Sequence, residues 1–271
     1  MTDNIMESVL KKNKTFFRDC AARYDQGREH FYFHERRRVR RDLQWIGQHK
    51  RLVGATVMDV GCGTGFYALM AAEYGIKKAH CLDIDSTFLE ITADKLQDID
   101  GAIEVVPHLS DLEAFAGVES ADKSDIDLYI MGSVLQHVPD LRAIVGQVAD
   151  ASPEACLYIT STRLPQSETH AWIEKAMAVL DYSLHLSIHR KDQPPARRQP
   201  KEAKETIEVD TLALIALCEV RGYAIRSYRY TSFHTGIFNK IHAILRRISP
   251  SFGTYFTLIA CRESPRNNND V

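Results

Sequence analysis

From Ala55 onward, short apolar runs alternate with stretches of helical period, the pattern of a mostly parallel sheet with crossover helices. Thr56-Val57-Met58-Asp59-Val60 reads as a strand ending at Gly61, and Phe66 to Tyr74 as a helix that Gly75 stops. Ala79 to Leu82 is a second strand ending at Asp83, after which either Asp85 or Ser86 caps a helix carrying Phe88, Ile91 and Leu96. Ile103 to Val106, Ile126 to Met131 and Cys156 to Thr160 supply the third, fourth and fifth strands, with an amphipathic helix, Leu141 to Val148, between the last two. Residues 164 to about 208 interrupt the rhythm. Beyond them Asp210 can cap a helix through Val220 that Gly222 ends; Tyr223 to Tyr230 follows as a strand, and Tyr255 to Cys261 closes the sheet.

The expected organisation is an N-terminal helical cap over 1–52, a core over 53–163, an insertion after the fifth strand over 164–208, the remainder of the same α/β domain over 209–263, and a disordered tail over 264–271. With 271 residues, 45% of them hydrophobic, the chain can bury the core of one decorated domain. A formal net charge of -2 offers no global basic field for nucleic acid. The amino terminus lacks the apolar core of a secretory signal, and the apolar run Leu212 to Val220 is much shorter than the ~20 residues that cross a bilayer. A cytoplasmic protein is therefore expected. The six cysteines form no CxxC pair, so no metal site is expected and buried reduced thiols are the default.

The chemistry concentrates at the first turn. In Asp59-Val60-Gly61-Cys62-Gly63-Thr64-Gly65, between strand and helix, missing Cβ atoms let the backbone turn sharply and approach a ligand closely. Asp83 follows Gly65 by 18 residues, at the end of the next strand, where a carboxylate can accept hydrogen bonds from both hydroxyls of a ribose. The spacing is GxGxG with Phe66 next, whereas a nicotinamide site wants GxGxxG. Together with Asp125-Ile126-Asp127-Leu128-Tyr129-Ile130 and Ser133-Val134-Leu135-Gln136-His137-Val138-Pro139-Asp140, this stretch resembles the class I S-adenosylmethionine-dependent methyltransferases, in particular the group that includes ubiquinone-biosynthesis enzymes. The resemblance runs from about Val57 to Thr160.

That resemblance implies a Rossmann-like, doubly wound sheet with helices on both faces and S-adenosylmethionine as cofactor. It implies that Gly61, Cys62, Gly63 and Gly65 wrap the methionine part, that Asp59 supports its amino end, and that Asp83, with Ile84 beside it, holds the ribose. Ser133 stands at the position that follows the fourth strand. The acid expected near adenine is Asp111, slightly later than its usual place. Tyr24, in Ala21-Ala22-Arg23-Tyr24-Asp25, resembles an N-terminal motif that folds over the cofactor, with aromatic packing as the alternative.

Methyl transfer from a sulfonium is an in-line displacement that needs alignment above all, and a base only when the nucleophile is a hydroxyl. His137 is the candidate base, since ligands collect at the carboxyl edge of open sheets; the alternative is that it orders its loop. No Asn-Pro-Pro-aromatic tetrad of the kind that serves methylation of base amino groups follows the fourth strand. The expected acceptor is a small molecule or glycolipid methylated at oxygen, with an RNA or protein substrate, or a catalytically silent partner subunit, as alternatives. Arg190, Lys191, Arg197, Arg198, Lys201 and Lys204, with the run Arg36, Arg37, Arg38, Arg40 and Arg41, make two positive clusters. An anionic acceptor held by Arg197 and Arg198 would suit them, as would a solvated surface. Phe238 to Ile248 reads either as a core-facing helix or as peripheral membrane contact.

Overall fold

The structure is a computed structural model that describes residues 15, 24, 29–99, 103–110, 125–138, 140–162, 209, 211–231, 244 and 255–262. Seven strands form one sheet: β1 (Thr56–Val60), β2 (Lys78–Asp83), β3 (Glu104–Leu109), β4 (Leu128–Gly132), β5 (Cys156–Thr162), β6 (Ala224–Thr231) and β7 (Tyr255–Cys261), in the order β3-β2-β1-β4-β5-β7-β6. The first five pair in parallel, while β7 runs antiparallel to both neighbours. The last strand of the sequence therefore does not close the sheet. It inserts between β5 and β6 and leaves β6 at the edge.

Every residue of β1 is buried, as expected for a central strand covered on both faces. One face packs against α1 (Glu29–Ile46), α2 (Phe66–Ala72) and α3 (Ser86–Gln97) through Val39, Leu43, Ile46, Ala68, Leu89 and Leu96. The other packs against α4 (Leu141–Ala151) and α5 (Thr211–Val220) through Ile144, Val145, Val148, Leu214 and Cys218. Asp85 caps α3, its side chain accepting from the Thr87 N–H at 2.9 Å, and Asp140 caps α4 by accepting from the N–H groups of Arg142 and Ala143. β3 extends past the expected Val106 through Pro107 and His108, because it pairs with β2 alone and an edge strand tolerates a proline whose missing N–H faces away from its partner.

Two expectations are corrected. The arginine run is not a single positive cluster, because the helical period of α1 divides it. Glu35, Arg38 and Asp42 fall on the same face as Val39, Leu43 and Ile46, and all are buried. Arg38 pairs with Glu35, lies 4.0 Å from Asp42 and donates to the Thr257 hydroxyl. Asp42 also accepts from Arg229 and from the Tyr158 hydroxyl. Arg40 pairs on the surface with Glu73, which leaves Arg36, Arg37 and Arg41 exposed on the outer side. The cysteines are not all reduced either: antiparallel register sets Cys156 opposite Cys261, and a disulfide joins them. Cys62, Cys81 and Cys218 are free and buried. No described helix is long and apolar enough to cross a membrane.

Removing one partner of a buried ionic group leaves the others desolvated and uncompensated. Asp42→Ala should therefore lower unfolding stability by about 3 kcal/mol in a denaturant titration, whereas Glu73→Ala, on the exposed Arg40 pair, should scarcely move the midpoint. Equal effects of the two would contradict this assignment.

Candidate functional site

The carboxyl ends of β1, β2 and β4 carry three turns that meet. After β1, Gly61, Gly63 and Gly65 all have positive φ, 67°, 53° and 81°, a region that side chains with a Cβ rarely enter. Two of them also sit against neighbours: a Cβ at Gly61 would lie 2.4 Å from Val134 Cγ2, and one at Gly65 would lie 2.8 Å from Thr92 Cγ2. At Gly63 a Cβ would meet nothing within 4 Å, so this residue borders open space instead of packed protein. Cys62 is buried beneath the turn, and its N–H reaches the Leu82 carbonyl at 3.0 Å, fastening the turn to β2.

Asp83 ends β2 at 7% exposure and accepts from the Gly63 N–H at 2.8 Å and the Asp85 N–H at 3.2 Å. Since Asp85 serves as the helix cap, Asp83 is left for the turn. Ile84 itself is half-buried beside it. Asp59, one strand over, is buried; its Oδ2 accepts from the Ala68 N–H at 3.0 Å, and its Oδ1 has no hydrogen-bond partner. Burial pushes the Asp59 carboxyl up to about 7 and the Asp83 carboxyl up to about 6, against an ordinary value of 3.8. Backbone N–H donors oppose that rise in both.

After β4, Ser133 takes φ 58°, the one non-glycine positive φ among the described residues. Its N–H bonds the Thr160 carbonyl at 2.6 Å, and its carbonyl accepts from the Gln136 side chain at 2.7 Å. The Ser161 hydroxyl donates to the other end of that carboxamide. A short 3₁₀ turn, Leu135–His137, follows, so half-buried His137 stands at the carboxyl edge beyond β4 with its N–H on the Val134 carbonyl. Tyr24 meets Phe88 of α3 edge-on, 5.3 Å between ring centroids, which sets this residue against the helix that starts beside Asp83. Asp111, Arg197, Arg198 and the stretch 164–208 lie outside the described residues, as does Phe238 to Ile248 apart from Ile244.

The reading of the sequence missed two residues that hold the turn from α3. The Thr92 hydroxyl donates to the Gly63 carbonyl at 2.8 Å, and Lys95 Nζ to the Thr64 carbonyl at 3.0 Å. Their three-residue spacing sets them on one face of α3, a signal hidden because that helix was sorted by its apolar positions alone. Two surface clefts, one lined by residues 219–224 with Arg262 and one by Gln44, residues 47–53 and Tyr74, lie toward the amino ends of the strands, away from this edge.

Residues 58–153 match the family model described as a methyltransferase domain. The chain carries a class I S-adenosylmethionine-dependent methyltransferase domain. Among curated proteins it is 29% identical over 168 residues to the ubiquinone biosynthesis O-methyltransferase of Hahella chejuensis, covering 61% of this chain and 66% of that one. It is 33% identical over 130 residues to the protein of that name from Paraburkholderia phytofirmans, covering 48% and 53%. The chain thus spans less than two thirds of the length of these relatives. In fold it is similar to the magnesium protoporphyrin IX methyltransferase of Synechocystis with bound S-adenosylhomocysteine, at TM-score 0.57 and 16% identity over 93% of this chain and 100% of that one.

The residues present fit that cofactor. A buried carboxylate oxygen without a partner at Asp59 suits an ammonium group, and the turn around Gly63 leaves room for a ligand to lie against backbone. Asp83 retains lone pairs for two hydroxyls beyond its backbone bonds. Asp83→Ala should weaken binding of S-adenosylhomocysteine about tenfold or more in calorimetry, through loss of charge-assisted hydrogen bonds and of the brace on Gly63; unchanged affinity would refute the assignment. A pH dependence follows from the raised carboxyls. In the free protein the burial of Asp59 and Asp83 favours their neutral forms, so their contribution to stability is fully present below about 3.8 and is lost as pH rises through about 6 to 7. A cationic ligand prefers the ionised forms, so affinity runs the opposite way and should be about tenfold weaker at pH 6 than at pH 8. A flat affinity over that range would show that neither carboxylate carries the charge.

Proposed function

We propose that this chain transfers the methyl group of S-adenosylmethionine to a hydroxyl of a small molecule, with Asp59, Gly61, Cys62, Gly63, Gly65, Asp83, Ile84 and Ser133 as the cofactor site. The observation that carries the reading is the pairing of an unpartnered buried Asp59 oxygen with a backbone-braced Asp83 on either side of the glycine turn. When bound, the cofactor supplies an electrophilic methyl group. Asp59 then holds the amino end, Asp83 the ribose hydroxyls, and the backbone of the turn approaches the methionine part without Cβ atoms in the way. Tyr24, brought to α3 through Phe88, covers the ribose end and excludes water from it.

The acceptor binds beyond β4, where His137 receives the proton that a hydroxyl loses as it attacks. The Gln136 carboxamide is tied at one end to the Ser133 carbonyl and at the other to Ser161. It is thereby occupied in ordering the loop instead of presenting itself to an exocyclic amine, which favours oxygen over base nitrogen as the nucleophile. The likeness to ubiquinone biosynthesis O-methyltransferases supports the same choice. Arg197 and Arg198 are proposed to recognise an anionic group on the acceptor or its lipid carrier.

Incubation of the protein with methyl-labelled cofactor and four acceptor classes, hydroxylated aromatic small molecules, glycolipids, RNA and protein, tests this directly. Label should pass to a hydroxylated small molecule or lipid, and His137→Ala should slow that transfer around a hundredfold while cofactor affinity holds. Label in RNA or protein would overturn the acceptor class, and near-normal turnover by the variant would move the base elsewhere.

A further inference from the structure

Tyr67, in the first turn of α2, is a residue that the glycine motif does not include. Its ring fills the space above Gly132 at the end of β4: a Cβ on Gly132 would lie 1.9 Å from Tyr67 Cε2. Its hydroxyl donates to Glu35 Oε1 at 2.9 Å. Glu35 is fixed in turn, accepting from Arg38 Nε at 3.0 Å and from a second guanidinium nitrogen. A path thus runs from α1, through one buried tyrosine, to Gly132, the residue that precedes Ser133 with its positive φ.

We propose that Tyr67 is a positioning residue: clamped by the Glu35–Arg38 pair of α1, it sets the Gly132–Ser133 backbone and so shapes the cofactor site from a helix that lies outside the glycine motif. The inference rests on the cofactor reading above. Ser133 sits at a positive φ that non-glycine residues rarely adopt, so the surroundings must over-determine it. The Thr160 carbonyl and the Gln136 side chain hold its two backbone groups, and the Tyr67 ring blocks any outward shift of Gly132 before it. Without the hydroxyl, the ring loses its tie to Glu35, and the wall that it sets against Gly132 is no longer fixed.

Tyr158 supplies a matched control. It is also fully buried on the same face of the sheet, its hydroxyl donates at 3.1 Å to Asp42 of the same helix, and its ring meets Tyr67 edge-on at 6.3 Å between centroids, a contact that phenylalanine keeps. Tyr67→Phe should fold, because Glu35 keeps Arg38, and should raise the Kd for S-adenosylhomocysteine about fivefold in calorimetry. Tyr158→Phe should lower the thermal midpoint by a comparable amount yet leave that Kd within about twofold. The proposal is overturned if Tyr67→Phe binds as well as the wild type, or if both phenylalanine variants weaken binding equally. Failure of the wild type to bind S-adenosylhomocysteine would instead refute the cofactor reading beneath it.

Discussion

Two carboxylates, Asp59 and Asp83, are buried at the carboxyl ends of adjacent parallel strands, and the arrangement around them follows from the cost of desolvating them. Asp83 lowers that cost by accepting from backbone N–H groups on two segments, and in doing so it locks the glycine turn to the end of β2. Asp59 meets only half of its requirement, through the Ala68 N–H, which ties α2 to the end of β1. The remaining oxygen is unsatisfied, and its environment favours protonation until a cation arrives. In the proposed site this polar deficit of the free protein is what the ammonium group of the cofactor would remove.

The second buried polar system, Glu35, Arg38, Asp42 and Arg229, balances two negative against two positive side chains, so it needs no ligand to be satisfied. Its effect is to fix α1 across β5, β7 and β6 through Tyr158, Thr257 and Arg229, and to deliver Glu35 to Tyr67. Apolar packing by Val39, Leu43 and Ile46 holds the helix against the sheet without specifying how far it slides along its axis. Directional bonds from four side chains specify that register. A helix placed in register can shape the turn after β4, which packing alone would leave loosely defined.

Local chemistry was legible in the sequence wherever it depended on a few neighbouring residues. The glycine turn, Asp59, Asp83 and the Asp85 cap follow from spacing, because strand, turn and helix are contiguous there. Pairings across the sheet were not legible. The period of α1 decides which arginines of 36 to 41 face inward, and Arg38 became structural only because Glu35, Asp42 and Thr257 surround it. Cys156 and Cys261 stand opposite each other through a register that no local pattern encodes. Likewise the placement of β7 between β5 and β6, and of Thr92 and Lys95 beneath the glycine turn, depends on contacts between segments distant in sequence.

Burial favours the neutral carboxyls of Asp59 and Asp83 in the free protein, and the proposed site holds them charged once S-adenosylmethionine binds. Calorimetric titration with S-adenosylhomocysteine at pH 6.5, repeated in buffers of different ionisation enthalpy, counts the protons exchanged on binding. The proposed site should give net proton release from Asp59 and Asp83, diminishing toward pH 8. Binding with no proton exchange at pH 6.5, or with proton uptake, would contradict it.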